Sequence, residues 1–139
     1  MAAKFTGGCL CGKVRYEIEA DPIVGIHCQC RDCQRRSGSG HASFVAFPKA
    51  AVKLTGPVKY HSNKADSGNT ATRGFCSECG SQVVGASTGF PDMQPVMAGS
   101  LDDPSKFAPQ MIVFTTRGHS WDILDPGLPK FPKMPPMGG

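Results

Sequence analysis

Seven cysteines in three tight clusters constrain this chain of 139 residues more than any other feature. The clusters are Cys9 with Cys11, then Cys28 with Cys30 and Cys33, and finally Cys76 with Cys79. The C-x-x-C pair lies directly before Gly80, and a glycine turn lets both sulfurs converge on one ion, as in a zinc knuckle. A C-x-C spacing also fits two buried cysteines on one face of a strand, but the glycines of GGCLCG favour a bent loop. The sequence therefore predicts that the fold gathers sulfur atoms at turns.

The metal interpretation depends on where the protein resides. No apolar segment suited to a secretory peptide opens the sequence, and the longest apolar runs, such as MIVF, are too short to cross a bilayer. We therefore expect a cytoplasmic protein without a membrane partner. Because the cytosol keeps thiols reduced, clustered cysteines there are more often metal ligands or catalytic groups than disulfides.

Length and composition indicate one soluble globular domain. Apolar residues make up 40% of the chain and charged residues 19%, which is ordinary for a folded soluble protein. We predict a single zinc-binding domain over residues 1–132, and an extended Pro/Gly-rich tail over residues 126–139. The net charge of +4 comes from scattered lysines and arginines, so we expect no nucleic-acid partner. The sequence leaves the oligomeric state open.

Short segments with β character dominate the pattern. In KVRYEIEA the apolar side chains of Val14, Tyr16 and Ile18 alternate with charged ones, as a half-buried strand requires. Further strands are predicted in ASFVAF, VKLTG, VKYHS, TATRGF, SQVVGAS, PVMAGSL and QMIVFTT. Helical periodicity is nearly absent, apart from short turns near CRDCQRRSG and DDPSKF. The predicted fold class is therefore mainly β with one or two short helical turns.

The seven thiols divide most simply into a set of four and a set of three. Cys28, Cys30 and Cys33 are too close in sequence to reach different ions, which leaves Cys9, Cys11, Cys76 and Cys79 as a complete tetrahedral set. The set of four would close a long loop and stabilise the fold, so we predict a structural zinc there. Three protein ligands with an open position are typical of a catalytic zinc. Alternatively, a histidine closes the triplet, and the candidates are His27, His41, His61 and His119.

At these residues the sequence resembles the glutathione-dependent formaldehyde-activating enzyme and centromere protein V family. The resemblance runs from about Phe5 to Pro132. It rests on these segments in order: GGCLCGKVRYE, HCQCRDCQRRSG, ASFVAFP, RGFCSECGSQV, GSLDDP, and a Trp followed by DPGLPKFP. One position departs from the family pattern, because Gln29 stands where the family often has a histidine.

The resemblance implies a fold, two metals and an activity. The fold would be a zinc-stabilised β-sheet scaffold of the Mss4-like type, with two zinc ions per chain. The structural zinc would bind Cys9, Cys11, Cys76 and Cys79, and the catalytic zinc would bind Cys28, Cys30 and Cys33. The implied activity is that of a carbon–sulfur lyase acting on thiol–aldehyde adducts such as S-(hydroxymethyl)glutathione, with glutathione or a similar small thiol as the partner.

Two further expectations follow. Arg31, Arg35 and Arg36 lie beside the triplet, where any of them could hold a substrate carboxylate by bidentate hydrogen bonds, and we predict Arg31 and Arg35 as the substrate-binding residues. Alternatively, these arginines are solvated surface residues. The alternative function is a non-catalytic, zinc-stabilised binding module, because Mss4-like scaffolds include proteins that hold partners rather than turn over substrates.

Overall fold

The computed structural model describes residues 4–65 and 67–135, and it is mainly β, as the sequence predicts. Ten strands are present in this part of the chain: β1 (Phe5–Gly8), β2 (Arg15–Ile18), β3 (Val24–Cys28), β4 (Ala42–Pro48), β5 (Val52–Thr55), β6 (Val58–Lys64), β7 (Thr70–Cys76), β8 (Gln82–Ser87), β9 (Met93–Met97) and β10 (Met111–Val113). One short helix, α1 (Arg31–Ser37), follows β3. Four single 3-10 turns occur in addition, at Lys49–Ala51, Ala98–Ser100, Pro104–Lys106 and Thr115–Arg117.

The strands form two sheets. The smaller has the order β1-β2-β5, and the larger has the order β10-β3-β4-β9-β8-β7-β6. All pairs are antiparallel except that of β10 with β3. The parallel β10 therefore occupies one edge of the large sheet, next to the strand that ends in the cysteine triplet.

Strand β4, an interior strand of the large sheet, contributes side chains to two separate cores, because its side chains alternate between the faces of the sheet. Val45 and Phe47 join the core between the two sheets, where they meet Tyr16 of β2. Ala42 and Ala46 join a second core on the opposite face, together with residues of β3 and α1. The second core contains two of the triplet cysteines, so this face of the large sheet positions the candidate site.

Most of the predicted elements are present. Each of the eight predicted segments contains a strand, and the charged and apolar faces of KVRYEIEA are exposed and buried as expected. The strands in PVMAGSL and QMIVFTT end early, at Met97 and Val113, and 3-10 turns follow them. Two strands were not predicted, β1 and β3. Both contain glycines, which weaken the strand signal in a sequence.

The described part of the Pro/Gly-rich tail packs alongside β10. The backbone N–H of Phe131 donates to the carbonyl of Ile112, and the N–H of Ile112 donates to the carbonyl of Pro129, each at 2.9 Å. Phe131 and Met134 contact the second core. None of the helices in residues 4–65 and 67–135 is long and apolar enough to span a membrane.

Candidate metal centres and the adjoining cavity

The set of four cysteines comes together from two distant parts of the chain. Cys9 and Cys11 lie in the turn that follows β1, Cys76 ends β7, and Cys79 lies in the turn before β8. The four sulfurs lie within 4.8 Å of one another. This is the arrangement that the sequence predicts, and the first pair lies in a turn rather than in a strand interior, although Gly7 and Gly8 belong to β1.

The spacing of these sulfurs fits a tetrahedral zinc ion. The Sγ of Cys11 lies 3.6 Å from that of Cys9 and 3.8 Å from that of Cys76. Four bonds of roughly 2.3 Å to a central zinc would hold the sulfurs about 3.8 Å apart. Backbone N–H groups donate to two of the sulfurs, from Val14 to Cys9 at 3.3 Å and from Glu78 to Cys76 at 3.4 Å. Such donors stabilise thiolates, which are the form that binds metal.

The triplet is assembled locally, where β3 passes into α1. Cys28 is the last residue of β3, Cys30 is the N-cap of α1, and Cys33 lies in its first turn. The N–H of Cys33 donates to the sulfur of Cys30 at 3.4 Å, so the helix start holds two of the three sulfurs in place. The three sulfurs lie within 4.8 Å of one another, and two of the residues are buried.

The electrostatics of the triplet favour a divalent cation. Hydrogen bonds from Cys28 and Cys33 lower the pKa of the Cys30 thiol to about 2. The same contact raises the pKa of Cys28 strongly, because its thiol donates to Cys30 and a second thiolate would repel the first. The guanidinium of Arg36 donates to the sulfur of Cys33 at 3.0 Å. Three thiols thus hold one negative charge readily, and a soft divalent ion such as zinc would allow all three to ionise.

Three of the four candidate histidines make hydrogen bonds near the site. His27 Nδ1 lies 2.7 Å from the hydroxyl of Ser43, and His41 Nδ1 lies 2.9 Å from the carboxylate of Asp122. His119 Nε2 lies 2.9 Å from Gln34 Oε1. His61 is exposed on β6, at the far edge of the large sheet. In the part of the chain that the structure describes, the triplet group contains three thiols and no imidazole.

Gln29, which replaces the histidine often present in the family pattern, is a structural link. Its side chain is 7% exposed, and its amide Nε2 donates to the carboxylate of Asp122 at 3.1 Å. Its backbone N–H donates to Val113 of β10 at 3.0 Å. A carboxamide does not titrate near neutral pH and cannot serve as a general acid or base, so this residue orients the Cys28–Cys30 turn.

A cavity of about 550 Å³ lies on the same face of the large sheet, and all three triplet cysteines line it. Much of its wall is apolar: Phe44, Phe90, Phe114, Met93, Met97, Met134, Pro95 and Pro135. The last two residues of the described chain, Met134 and Pro135, are part of this wall. A cavity that joins metal-ligating thiols to an apolar surface is a typical binding site for a small organic ligand.

The arginines that line the cavity match only in part those that the sequence suggested. Arg31 and Arg35 are exposed on α1, Arg31 donates to the Oε1 atom of Gln34, and neither lines the cavity. Their role in binding substrate stays a prediction. Arg36 does line the cavity, and so does Arg73 of β7, which sequence reasoning missed. The available signal was the position of Arg73 two residues after Ala71, which places an arginine on the buried face of a strand.

Comparison with known proteins agrees with this architecture. Residues 4–117 match the family model described as "Glutathione-dependent formaldehyde-activating enzyme". The chain belongs to this family. A crystal structure of a Rhodobacter sphaeroides protein has the same fold, with a TM-score of 0.58 and 16% identity over 91% of this chain and 98% of that chain. The two cysteine clusters could hold metal ions, and the family is one of formaldehyde-activating enzymes.

Proposed function

We propose that the protein is a zinc-dependent carbon–sulfur lyase-like enzyme that acts on thiol–aldehyde adducts such as S-(hydroxymethyl)glutathione. The observation that carries the proposal is that Cys28, Cys30 and Cys33 gather at the wall of a cavity large enough for an organic ligand. The set of four cysteines, in contrast, joins two parts of the backbone, as a structural site does. Family membership supports the same assignment.

The reaction that the proposal assigns is an addition and its reverse. In the forward direction, the thiol sulfur forms a bond to the aldehyde carbon, and the thiol proton ends on the carbonyl oxygen to give a hydroxyalkyl thioether. In the reverse direction, the same carbon–sulfur bond breaks and thiol and aldehyde are released. No oxidant or reductant is needed. A zinc ion bound with an open position supplies Lewis acidity, which lowers the pKa of a thiol and polarises a carbonyl oxygen.

The chain's own residues contribute positioning and solvent exclusion. Cys28, Cys30 and Cys33 would hold the zinc ion, and the hydrogen bond from Arg36 to Cys33 would stabilise the thiolate that Cys33 forms when it binds metal. The apolar wall around Phe44 excludes water, which strengthens electrostatic interactions within the cavity. The proposal also places the protein in the cytoplasm, where all seven cysteines, which are free thiols here, would stay reduced.

Turnover of a defined adduct tests the proposal. Zinc-loaded protein should accelerate the interconversion of S-(hydroxymethyl)glutathione with glutathione and formaldehyde, measured by exchange NMR. Cys30→Ser should reduce the rate to that of the uncatalysed reaction and lower the zinc content from two ions per chain to one. Circular dichroism should show that the variant remains folded, because the other zinc site remains intact.

Two outcomes contradict the proposal. Full activity in a folded Cys30→Ser variant would place the chemistry elsewhere. No turnover by the zinc-loaded wild type, combined with a triplet metal that is indifferent to added thiols, would favour the non-catalytic binding module instead.

A further inference from the structure

A buried arginine in the cavity lacks a complete set of partners. Arg73 is only 9% exposed, and its Nε atom has no hydrogen-bond partner among the described residues. Burial and the nearby charge of Arg36 lower the pKa of Arg73. The negative charges of Cys33, Cys30 and Asp32 offset this lowering only in part. A buried cation is costly unless an opposite charge accompanies it. Arg73 is therefore a candidate for contact with a ligand.

The charged neighbours of Arg73 do not form a salt bridge with it. Within residues 4–65 and 67–135, the ion pairs between side chains involve neither Arg73 nor Arg36. Asp32 also lines the cavity, but its carboxylate accepts a hydrogen bond from Asn63 at 3.2 Å. The guanidinium of Arg36 donates to the sulfur of Cys33, and the Nε atom of Arg36 has no hydrogen-bond partner among the described residues. Two guanidinium groups thus lie at the cysteine end of the cavity without a carboxylate at salt-bridge distance.

Much of the remaining lining of the cavity suits an apolar group. Its wall carries the aromatic rings of Phe44, Phe90 and Phe114 and the thioethers of Met93 and Met97. Formaldehyde contributes a single carbon, so formaldehyde by itself would leave most of this wall without contacts. The peptide groups of glutathione would lose hydrogen bonds to water against such a wall, which is costly for each group that stays unpaired.

We propose that the cavity selects a ligand with an apolar body and one carboxylate, and that Arg73, with Arg36 beside it, binds the carboxylate while the Phe and Met wall contacts the body. The inference deepens the proposed function and rests on it for the reaction. The substrate of the same site is then a thiol–aldehyde adduct whose organic part is apolar and carries an acid group.

A matched pair of simple probes tests the inference without turnover. 4-Phenylbutyrate and 4-phenylbutanol have the same apolar body and differ only in the carboxylate. Titration calorimetry on the full zinc-loaded chain should give a dissociation constant at least about 10-fold lower for the acid, since hydrogen bonds to charged groups are stronger than those between neutral groups. Acetate, which has the carboxylate but no apolar body, should bind much more weakly than either.

Variants then locate the binding groups. Arg73→Met keeps the length and apolar volume of the side chain and should abolish the preference for the acid. Lys53→Met removes a positive charge at an exposed position of β5, and it should leave the dissociation constants of both probes unchanged. Phe90→Ala, in the loop between β8 and β9, should weaken both probes to a similar extent.

The outcomes separate this inference from the proposed function. Equal binding of acid and alcohol by the wild type would overturn the inference, and this comparison does not depend on the folding of any variant. An acid preference that survives in Arg73→Met would overturn the inference as well. A protein that turns over S-(hydroxymethyl)glutathione but binds neither probe would keep the proposed function and refute the inference. A protein without lyase activity that still prefers the acid through Arg73 would refute the proposed function and keep the inference about the ligand.

Discussion

At the scale of single residues, Gln34 is the polar side chain that fixes the helix beside the triplet. It is 5% exposed, and its amide Nε2 donates to the carbonyl of Gln29 at 2.8 Å and to that of Arg117 at 2.9 Å. Its Oε1 atom accepts from Arg31 and makes a hydrogen bond of 2.9 Å with His119. One buried amide thus connects α1 to the turn between two triplet cysteines and to the segment after β10.

Replacing Gln34 should therefore destabilise the protein. Gln34→Leu keeps the volume but leaves two backbone carbonyls without their donor, and each buried unpaired group costs about 1–3 kcal/mol. We expect the free energy of unfolding to fall by about 2–4 kcal/mol, measured by urea denaturation. Arg35→Leu, at the exposed neighbouring position, is the control and should change it by less than about 0.5 kcal/mol. Equal stability of the two variants would contradict this account of Gln34.

At the scale of elements, the small sheet is joined to the chain after β9 by close contacts around Gly7. The hydroxyl of Tyr16 on β2 lies 2.8 Å from that of Ser100. The carboxylate of Asp102 accepts hydrogen bonds from Thr6 at 2.7 Å and from Arg15 at 2.9 Å. These bonds hold β1 and β2 against the segment that follows β9.

Gly7 tests this packing. A Cβ atom there would overlap the hydroxyl of buried Tyr16 and the backbone oxygen of Ser100, whereas one at Gly99 would meet nothing within 4 Å. Gly7→Ala should lower the free energy of unfolding by about 1–3 kcal/mol through overpacking, and Gly99→Ala should have little effect. The measurement is the thermal denaturation of both variants at equal zinc content. A Gly7→Ala protein as stable as Gly99→Ala would show that this contact is not tight.

At the scale of the whole molecule, the set of four cysteines brings the start of the chain next to its middle. Cys9 and Cys11 follow the first strand, whereas Cys76 and Cys79 flank the turn between β7 and β8 in the other sheet. A metal bound there would link the small sheet to the large one. The apparent binding free energy of a structural zinc is about 10–16 kcal/mol, which is as large as the whole stability of a typical domain, about 5–15 kcal/mol.

Cys76→Ser should consequently give an unfolded or aggregated protein. Chelation of zinc from the wild type should have the same effect in a thermal melt, and Cys30→Ser serves as the control because it removes only the triplet zinc. Metal analysis of the wild type should give two zinc ions per chain. If Cys76→Ser melts at the wild-type temperature, the structural role of this site is wrong.

The sequence alone determined the features that depend on neighbouring residues. Ligand spacings such as C-x-x-C act over a few positions, so the two metal-binding sets could be grouped before any fold was known. The strict alternation around Tyr16 predicted β2, and the polar run after Cys30 predicted α1. Local patterns failed at β3, where Gly25 interrupts the strand signal although Val24, Ile26 and Cys28 share a buried face.

The tertiary structure alone decided what surrounds the triplet. Arg73 comes from β7 and Arg36 from α1, and the apolar wall combines side chains from separated strands, loops and the tail. Arg31 and Arg35 are nearer in sequence to the cysteines, yet the direction of the helix turns them to solvent. Sequence spacing fixes which sulfurs can share an ion, because those distances are set by a few backbone bonds. The groups that share a cavity are set by strand order and sheet face, which no local pattern encodes.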